Sequence, residues 1–532
     1  VLPAAENRGG VLRDEDREAL ERQQIFLAPH GMEQFHLEIQ NLYAALAQPT
    51  EKLTVSYPVS DGKGAEKRPS FVIGRIARLL PSISVETEST DKEYRLSAKS
   101  TALEYAGEHI GGALWQYFEG RGDAERALAA MKDASRYTRG HLSRDAVRAL
   151  YGGAVTLSAS RMDMARSCHF AYFMRYGLKA RERTGAGFDA PQIGTFVHDV
   201  MEHTLRQAKE CGGLHTLSKD KLHALVRASI EEYIDRVLPD LCEKSARFRY
   251  LFNRLCATVE RIMDEVSEEL QSSDFEPLAF ELEFGADGQL PAITIREENG
   301  TARVVGKVDR VDGWLHDGKL YLRVVDYKTG KKSFDLAELR YGLGLQMLLY
   351  LFTLKEEGQM LFGGHEIVPA GVLYTPAREP MLRCARDTEP EKIEKALKKE
   401  LRRSGMVLED PAVLQAMEHS ALESPCYLPI AVKRDGAVTG SLASAEQLGK
   451  LSRYVDHILH EITQEVFAGN IDADPYARTP QQSACTYCEF ASACHFENGC
   501  GSDRMEYIKA TKNDEFWQYI DEVNGEGARE NG

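Results

Sequence analysis

Two consecutive strand patterns that carry acidic residues among apolar ones constrain the fold of this chain more than any other feature. They cover residues 306–313 and 320–330, and both are rich in β-branched and aromatic side chains. Between them, Asp312-Gly313 and Asp317-Gly318 supply residues that favour tight turns. The pattern predicts an antiparallel hairpin with carboxylates embedded in its strands.

The acids of this hairpin stand in unusual surroundings. Asp309 and Asp326 interrupt apolar runs, where an ionised carboxylate is costly unless a cation compensates it. Side chains two apart on a strand share a face, so Asp326 and Lys328 project together while Tyr327 points away. Cross-strand pairing can bring Asp309 to the same end. Two carboxylates and a backbone carbonyl, such as that of Tyr327, form an oxygen-rich set suited to Mg²⁺ or Mn²⁺.

The lysine of the hairpin has two interpretations. Beside a metal, Lys328 can stabilise an attacking hydroxide or the charge that develops on a phosphoryl group. Alternatively, Asp326 and Lys328 form an ion pair on an edge strand, and Asp309 is a surface acid near a turn. The hairpin alone leaves both interpretations open.

Two helical patterns carry further polar residues. Residues 193–202 form a helix, capped near Gly194-Thr195, with one broad apolar stripe. His198 and Glu202 are four residues apart and are therefore neighbours on one face of this helix. The imidazole of His198 could complete a metal site and Glu202 could orient it, or the two could be a surface pair. Residues 343–352 are apolar nearly all round, which predicts a buried helix. Its Gln346, four residues before Tyr350, then needs a polar partner such as an active-site edge or a phosphate.

Cysteines cluster near the C-terminal end of the chain. Cys485, Cys488 and Cys494 give a C-x₂-C-x₅-C pattern, one thiolate short of the usual four ligands of zinc or an iron–sulfur cluster. Cys500 could supply the fourth, and so could Cys168, 317 residues before Cys485. Thiolates suit either metal. A site that joins positions 168 and 485 would also contribute folding energy.

Composition excludes several classes of protein. The 532 residues include 82 acidic and 66 basic ones, a net charge of −16 that argues against a wholly basic nucleic-acid coat but not against a local basic groove. No run approaches the roughly 18 apolar residues of a membrane helix. No phosphate-binding Gly-x₄-Gly-Lys-Ser/Thr loop occurs, so we expect no ATPase activity from this chain alone. The start lacks both a signal pattern and Met, so we expect a cytoplasmic fragment or processed product.

Together these motifs resemble the RecB-type branch of the PD-(D/E)xK nuclease superfamily. The resemblance is narrowed by the motifs Ser158-Ala159-Ser160-Arg161, Cys168-His169-Phe170 and Tyr176-Gly177-Leu178 together with the C-x₂-C-x₅-C pattern. This combination resembles the B subunit of the bacterial AddAB helicase–nuclease, whose nuclease domain is stapled by a [4Fe–4S] cluster. The resemblance is strong over residues 155–500 and weak over 1–110. It implies an α/β fold of the restriction-endonuclease type, in which helices flank a central mixed sheet.

The resemblance also implies a role for each motif residue. The implied ligands of Mg²⁺ or Mn²⁺ are His198, Asp309, Asp326 and the Tyr327 carbonyl, with Glu281 matching an additional acid. The implied catalytic residues are Asp309, Asp326, Lys328, Gln346 and Tyr350. The implied ligands of the [4Fe–4S] cluster are Cys168, Cys485, Cys488 and Cys494, which leaves Cys500 out.

The front of the chain suggests a second domain. Residues 42–49 resemble the last motif of superfamily 1 helicases, but Gln48 stands where an active motor has an arginine that contacts the γ-phosphate. We therefore predict three segments: an inactive helicase-like remnant over 1–150, a nuclease domain stapled by iron–sulfur over 151–500, and a frayed acidic tail over 501–532. Within the first we predict helices at 14–24 and 32–47, a strand at 52–57 and a loop at 61–64.

These features predict a metal-dependent DNA exonuclease. It would act with an AddA-type helicase–nuclease subunit that pulls DNA while double-strand breaks are resected for recombination. The alternative is a non-catalytic scaffold that binds DNA ends and contains a structural metal cluster. A stand-alone Cas4-like nuclease is a third interpretation, against which the length and the helicase-like front argue.

Overall fold

The structure, a computed structural model, describes most of the chain. The described residues are 12, 14–25, 27–28, 32–60, 66–83, 95–136, 138–181, 190–239, 245–285, 288–330, 332–380, 382–385, 388–479 and 481–530. They belong to two compact units, Val1–Lys132 and Asp133–Gly532. None of the helices in these ranges combines the length and apolarity needed to cross a membrane.

The described part of the first unit is helical. Its helices are α1 (Asp14–Arg22), α2 (Met32–Ala47), α3 (Phe71–Leu79), α4 (Lys99–Glu108), α5 (Ala113–Phe118) and α6 (Asp123–Ser135), the last of which ends within the second unit. Trp115, Phe118 and Leu128 form a small core with alanines of α4. The two predicted helices are confirmed, the first with an end two residues earlier, and Gln48 directly follows α2.

The strand predicted at 52–57 is wrong. A strand needs a hydrogen-bonded neighbour, and the described residues of the first unit offer a single isolated bridge, between Ser60 and Glu66. The loop predicted at 61–64 lies outside the described residues.

The second unit contains the strands of the structure. In chain order they are β1 (Ala154–Leu157), β2 (Glu276–Phe284), β3 (Ile293–Glu297), β4 (Gly300–Val304), β5 (Gly306–His316), β6 (Lys319–Lys328), β7 (Glu366–Pro376), β8 (Ser404–Leu408), β9 (Ile430–Val432), β10 (Val438–Gly440), β11 (Leu442–Ala443), β12 (Tyr476–Thr479), β13 (Gln482–Ser483) and β14 (Glu506–Tyr507). Six form one mixed sheet in the order β11-β8-β7-β6-β5-β2. Its centre is the parallel pair β6–β7, and β5 pairs antiparallel with both β2 and β6.

The second unit also contains helices, several of which pack on this sheet. They are α7 (Arg144–Tyr151), α8 (Ala159–Ser167), α9 (His169–Tyr172), α10 (Ala190–Glu210), α11 (Lys219–Val237), α12 (Ala246–Gln271), α13 (Leu336–Arg340), α14 (Gln346–Glu357), α15 (Pro390–Glu400), α16 (Pro411–Met417), α17 (Ala445–Ala468), α18 (Ala491–Cys494) and α19 (Asn513–Glu530). A π-helical turn, Phe173–Gly177, follows α9, and a 3₁₀ turn spans Leu214–Thr216. One large apolar core joins the sheet to α10, α12, α14 and α17.

The predicted hairpin is confirmed, but one of its predicted turns is wrong. β5 and β6 pair antiparallel from Arg310↔Val325 to His316↔Lys319, and the turn lies at Asp317-Gly318, where both residues have positive φ. Asp312-Gly313 instead continues β5. The buried Asp312 carboxylate accepts a hydrogen bond from Arg310 in the core, so this acid does not need an exposed turn.

The two helices predicted in the nuclease region are confirmed with shifted starts. α10 begins at Ala190, four residues before the predicted cap at Gly194-Thr195, and buries the predicted apolar stripe. α14 begins at Gln346 and is buried from Met347 to Leu354.

The C-terminal segment is not the predicted frayed tail. α19 contacts α17, and its Phe516 and Ile520 are fully buried. These residues are four apart and therefore share the face of the helix that packs on the core.

Candidate active site and cysteine cavity

Five side chains meet where β2, β5 and β6 pass the middle of α10, and we call them the carboxylate centre: His198, Glu281, Asp309, Asp326 and Lys328. Asp309 Oδ2 accepts a hydrogen bond from the backbone N–H of Tyr327 at 2.8 Å. His198 Nε2 donates to the carbonyl of Tyr327 at 2.9 Å, and His198 Nδ1 lies 3.4 Å from Asp309 Oδ2. A helix and two strands thus place an imidazole beside a carboxylate.

Asp326 and Lys328 project to the same face of β6, as predicted. Lys328 Nζ lies 2.6 Å from Asp326 Oδ2. Tyr327 points to the opposite face, where its hydroxyl accepts a hydrogen bond from Arg310. The Asp326–Lys328 ion pair of the structural interpretation is therefore present. It lies beside Asp309, as the metal-site interpretation requires, and not on an open edge of the sheet.

Glu281 joins the centre more closely than the sequence indicated. Among the described residues, His198, Glu281 and Asp309 offer ligand atoms that all lie within 4.8 Å of one another. Glu281 has a φ of +50° within β2, a strained conformation for a non-glycine residue and one that is enriched at functional sites. The signal for this acid in the sequence was the alternation of apolar and acidic residues over positions 280–284.

Sequence reasoning missed Lys307. Its Nζ lies 2.5 Å from Glu281 Oε2 and 3.5 Å from a carboxylate oxygen of Glu283. Lys307 precedes Asp309 by two residues on β5, so the shared strand face could have indicated its position.

The protonation states of the carboxylate centre favour the binding of a cation. Burial and the charge of Asp309 raise the pKa of Asp326 to about 6, against partial compensation from Lys328. Burial lowers the pKa of His198, but its hydrogen bond to Asp309 and the charge of that carboxylate outweigh burial and raise the pKa to about 9. A divalent cation would neutralise the carboxylates and replace the imidazole proton. The donor set therefore fits Mg²⁺ or Mn²⁺.

Glu202 does not orient His198, contrary to the prediction. Its carboxylate accepts hydrogen bonds from Arg206, at 3.0 Å from Nε and 2.7 Å from Nη2. His198 is instead oriented by Asp309 and the carbonyl of Tyr327, because both approach its ring from the sheet.

Gln346 and Tyr350 lie in a cavity beside the carboxylate centre. Gln346 Nε2 donates to the Tyr350 hydroxyl at 3.2 Å, the polar partner that the buried helix needed. The cavity has a volume of about 620 Å³ and is also lined by Ser158, Ser160, Asp163 and Lys307, among others. At Gly306, an added Cβ would lie 2.5 Å from the ring of Tyr350, so this ring packs directly on the backbone of β5.

The four predicted cluster cysteines line one cavity, which we call the thiol cavity: Cys168, Cys485, Cys488 and Cys494. Its volume is about 590 Å³. Cys168 lies between α8 and α9, Cys485 and Cys488 precede α18, and Cys494 is the last residue of α18. Cys500 is exposed and does not line the cavity. The fold thus brings together the thiols that the resemblance selected.

The donor set of the thiol cavity fits a metal cluster. Burial raises the pKa of Cys168 to about 12 and raises those of Cys485 and Cys494, so thiolates would persist there only beside a cation. Four thiols at one site suit either a zinc ion or an iron–sulfur cluster.

This fold and its carboxylate centre define a class of protein. Residues 156–495 match the family described as the PD-(D/E)XK nuclease superfamily. The match covers more than half of the chain, so the chain belongs to this superfamily, and the predicted fold class is confirmed.

Curated relatives resemble the chain along nearly its whole length. A protein of Ruminiclostridium cellulolyticum is 30% identical over 98% of this chain and 47% of its own length, and one of Clostridium perfringens is 30% identical over 99% and 48%. One of Thermoanaerobacter sp. is 28% identical over 99% and 48%. All three are named as the B subunit of an ATP-dependent helicase/deoxyribonuclease, which confirms the resemblance to that component. The chain spans about half the length of these relatives.

Proposed function

We propose that this chain carries a metal-dependent deoxyribonuclease centre and cuts DNA as part of a helicase–nuclease complex. The observation that supports this most is the convergence of His198, Asp309, Asp326 and Lys328, from one helix and two strands, on a single point of the sheet. A structural ion pair would not need an imidazole and a second embedded carboxylate at the same place.

We assign the metal ligands among the residues of the carboxylate centre. They are His198, Glu281, Asp309, Asp326 and the carbonyl of Tyr327. A bound Mg²⁺ or Mn²⁺ would supply Lewis-acid stabilisation of charge on the phosphodiester. Before binding, Asp309 already holds its orientation through the Tyr327 N–H, so the protein pre-forms part of the site.

Lys328 is the proposed catalytic lysine. Asp326 holds its ammonium group at 2.6 Å, and about a third of the side chain remains exposed to solvent. The positive charge can thus reach a phosphodiester on the open side and stabilise charge that develops there during attack by water. Gln346 and Tyr350 border the adjacent cavity, where they can contact the same DNA strand.

The exonuclease mode and the partner extend this proposal. The names of the relatives support a role in a complex with a helicase. We propose that an AddA-type subunit supplies the ATP-driven motor and that the complex resects double-strand breaks in the cytoplasm. In this proposal the chain contributes the nuclease activity, and the partner subunit contributes the translocation of DNA.

We also propose that Cys168, Cys485, Cys488 and Cys494 hold a [4Fe–4S] cluster with a structural role. The common cavity of the four thiols supports this. Anaerobically purified protein should show a broad visible absorbance and contain about four iron atoms per chain, as such a cluster requires. A colourless protein with one zinc would contradict the assignment.

The test of the nuclease is a pair of alanine variants with matched controls. Asp326→Ala and Lys328→Ala should abolish Mg²⁺-dependent DNA degradation. A second ion pair, between Lys319 of β6 and Glu366 of β7 at 3.1 Å, lies outside the centre, so Lys319→Ala and Glu366→Ala should keep parent activity. If Asp326→Ala degrades DNA at the parent rate, the scaffold that binds DNA ends without cutting becomes the better description.

The exonuclease mode has its own test. Together with a helicase subunit and ATP, the chain should degrade linear duplex DNA and leave closed circles intact. Equal cleavage of both forms would show an endonuclease instead.

A further inference from the structure

The side chain of Tyr327 lies in a buried charge network behind the carboxylate centre. Arg310 Nη1 donates a hydrogen bond to the Tyr327 hydroxyl at 2.7 Å. Arg310 is 0% exposed and Tyr327 is 4% exposed. A charged donor in a dry environment makes this a strong hydrogen bond.

The network also fixes Arg310. Its Nη2 donates to Asp312 Oδ2 at 3.0 Å, and Arg323 Nε donates to the same oxygen at 2.9 Å. All three side chains are fully buried. Arg310 cannot swing away without leaving a buried charge unpaired, which is strongly unfavourable.

The backbone of Tyr327 belongs to the carboxylate centre. Its N–H donates to Asp309 Oδ2, and its carbonyl accepts from His198 Nε2. One residue thus contacts two proposed metal ligands with its peptide groups and the buried network with its hydroxyl.

The β-ladder on one side of this residue is incomplete. The pairing of β5 with β6 ends at Arg310↔Val325, so Tyr327 lies beyond it, while on the other side β6 pairs with β7 as far as Lys328↔Pro376. The Asp309 carboxylate accepts the N–H of Tyr327 on the side where the ladder has ended. The end of β6 therefore relies on side chains to hold it towards β5.

We propose that Tyr327 is a positioning residue whose hydroxyl, anchored by Arg310, fixes the peptide groups that orient Asp309 and His198. This inference rests on the proposed function, in which Asp309, His198 and the carbonyl of Tyr327 itself bind the cation, and it concerns the hydroxyl of Tyr327, which touches none of them. It assigns the buried charges behind the sheet a role in metal binding as well as in stability.

The test compares two tyrosines that each lose a buried hydroxyl. Tyr327→Phe in the full chain should weaken Mn²⁺ binding about tenfold, the effect typical of losing a group that orients a ligand. Electron paramagnetic resonance of free Mn²⁺ measures this without any reaction. The control is Tyr454→Phe, because Tyr454 is fully buried and donates to the carbonyls of Leu339 and Arg340 far along the chain. Its Mn²⁺ affinity should equal that of the parent.

Hydrogen exchange gives a second readout that needs no metal. Peptides that cover residues 322–330 should exchange faster in Tyr327→Phe than in the parent and the control. Arg310→Lys keeps a cation near Asp312 but removes the fork that reaches the hydroxyl, and should change both measurements in the same direction. Unchanged Mn²⁺ affinity in Tyr327→Phe and Arg310→Lys would overturn the inference.

The two proposals fail in different ways. If the parent binds Mn²⁺ and Tyr327→Phe binds it equally well, only the positioning role is wrong. If Tyr327→Phe weakens binding but Asp326→Ala still degrades DNA, only the nuclease assignment is wrong. A parent chain that binds no Mn²⁺ would overturn both.

Discussion

The carboxylate centre and the thiol cavity are built in opposite ways. The first lies on three neighbouring strands, and hydrogen bonds to the peptide of Tyr327 already orient its side chains. The second is a space of about 590 Å³ between short helices and turns, with walls more than 300 residues apart in the chain. We infer that the carboxylate centre binds its proposed cation reversibly on strands that are already folded. The thiol cavity, in contrast, would depend on its proposed metal cluster for its folded structure.

The largest effect should separate activity from folding. Asp309→Ala should reduce Mg²⁺-dependent cleavage by about 10³-fold or more. The variant loses a proposed ligand of the metal ion, and a metal ion stabilises the transition state by several kcal/mol. The unfolding temperature of the variant should fall by only a few degrees, since the Tyr327 N–H loses its acceptor but the backbone pairing of the sheet remains. Cleavage rates and thermal melts monitored by circular dichroism measure the two. Parallel losses of activity and stability would break the comparison.

The thiol cavity should show the reverse order of effects. Cys168→Ser should lower the free energy of unfolding by on the order of 3 kcal/mol, as the loss of a cross-link that closes a very long loop would. Iron content should fall with it, and activity should be lost only as the domain unfolds. Cys500→Ser is the matched control and should melt like the parent, because Cys500 lies outside the cavity. A stable, iron-free Cys168→Ser protein would show that the domain does not need a metal cluster in the thiol cavity for its stability.

Glu281 sharpens the comparison within the carboxylate centre. Glu281→Gln should raise the Mg²⁺ concentration for half-maximal cleavage about tenfold, since it weakens one ligand and leaves the others in place. Glu202→Gln should leave this concentration unchanged, because Glu202 pairs with Arg206. Titration of cleavage with Mg²⁺ measures both. Equal effects would remove Glu281 from the ligand set.

The smallest effect concerns stability and pH without metal. The pKa of Asp326, about 6 in the folded chain, lies above its ordinary value of 3.8. Its contribution to stability is therefore present below pH 3.8 and is lost as the pH rises through 6. Above that pH, Asp326→Asn should stabilise the metal-free chain by about 1 kcal/mol. Denaturant unfolding in a chelator, at acidic and at neutral pH, should show this gain only at neutral pH.

The sequence predicted local features well where periodicity and chemistry agreed. The hairpin, the stripe of α10 and the buried α14 follow from spacing alone. The carboxylate centre followed in large part because strand alternation and the family resemblance chose the same residues. The structure then added the distances that link His198 to Asp309.

Errors arose where tertiary partners decide the outcome. Asp312-Gly313 is a good turn in isolation, but the buried guanidiniums of Arg310 and Arg323 keep Asp312 inside a strand. α19 looked like a tail because its few apolar residues are useful only against α17. Lys307 was missed although its spacing of two residues from Asp309 could have indicated a shared strand face. The buried charge network was missed because Asp312 was assigned to a turn.

The close packing of Gly306 against Tyr350 has a consequence for variation among related chains. A side chain at position 306 would displace the ring that carries the hydroxyl partner of Gln346. The ring of Phe284 lies closer still to the same added Cβ. Homologues that replace this glycine should therefore carry smaller residues at the positions of both Phe284 and Tyr350, so that three distant positions change together. An alignment of many such chains should show this correlated substitution, and engineering any one of these positions alone should be poorly tolerated.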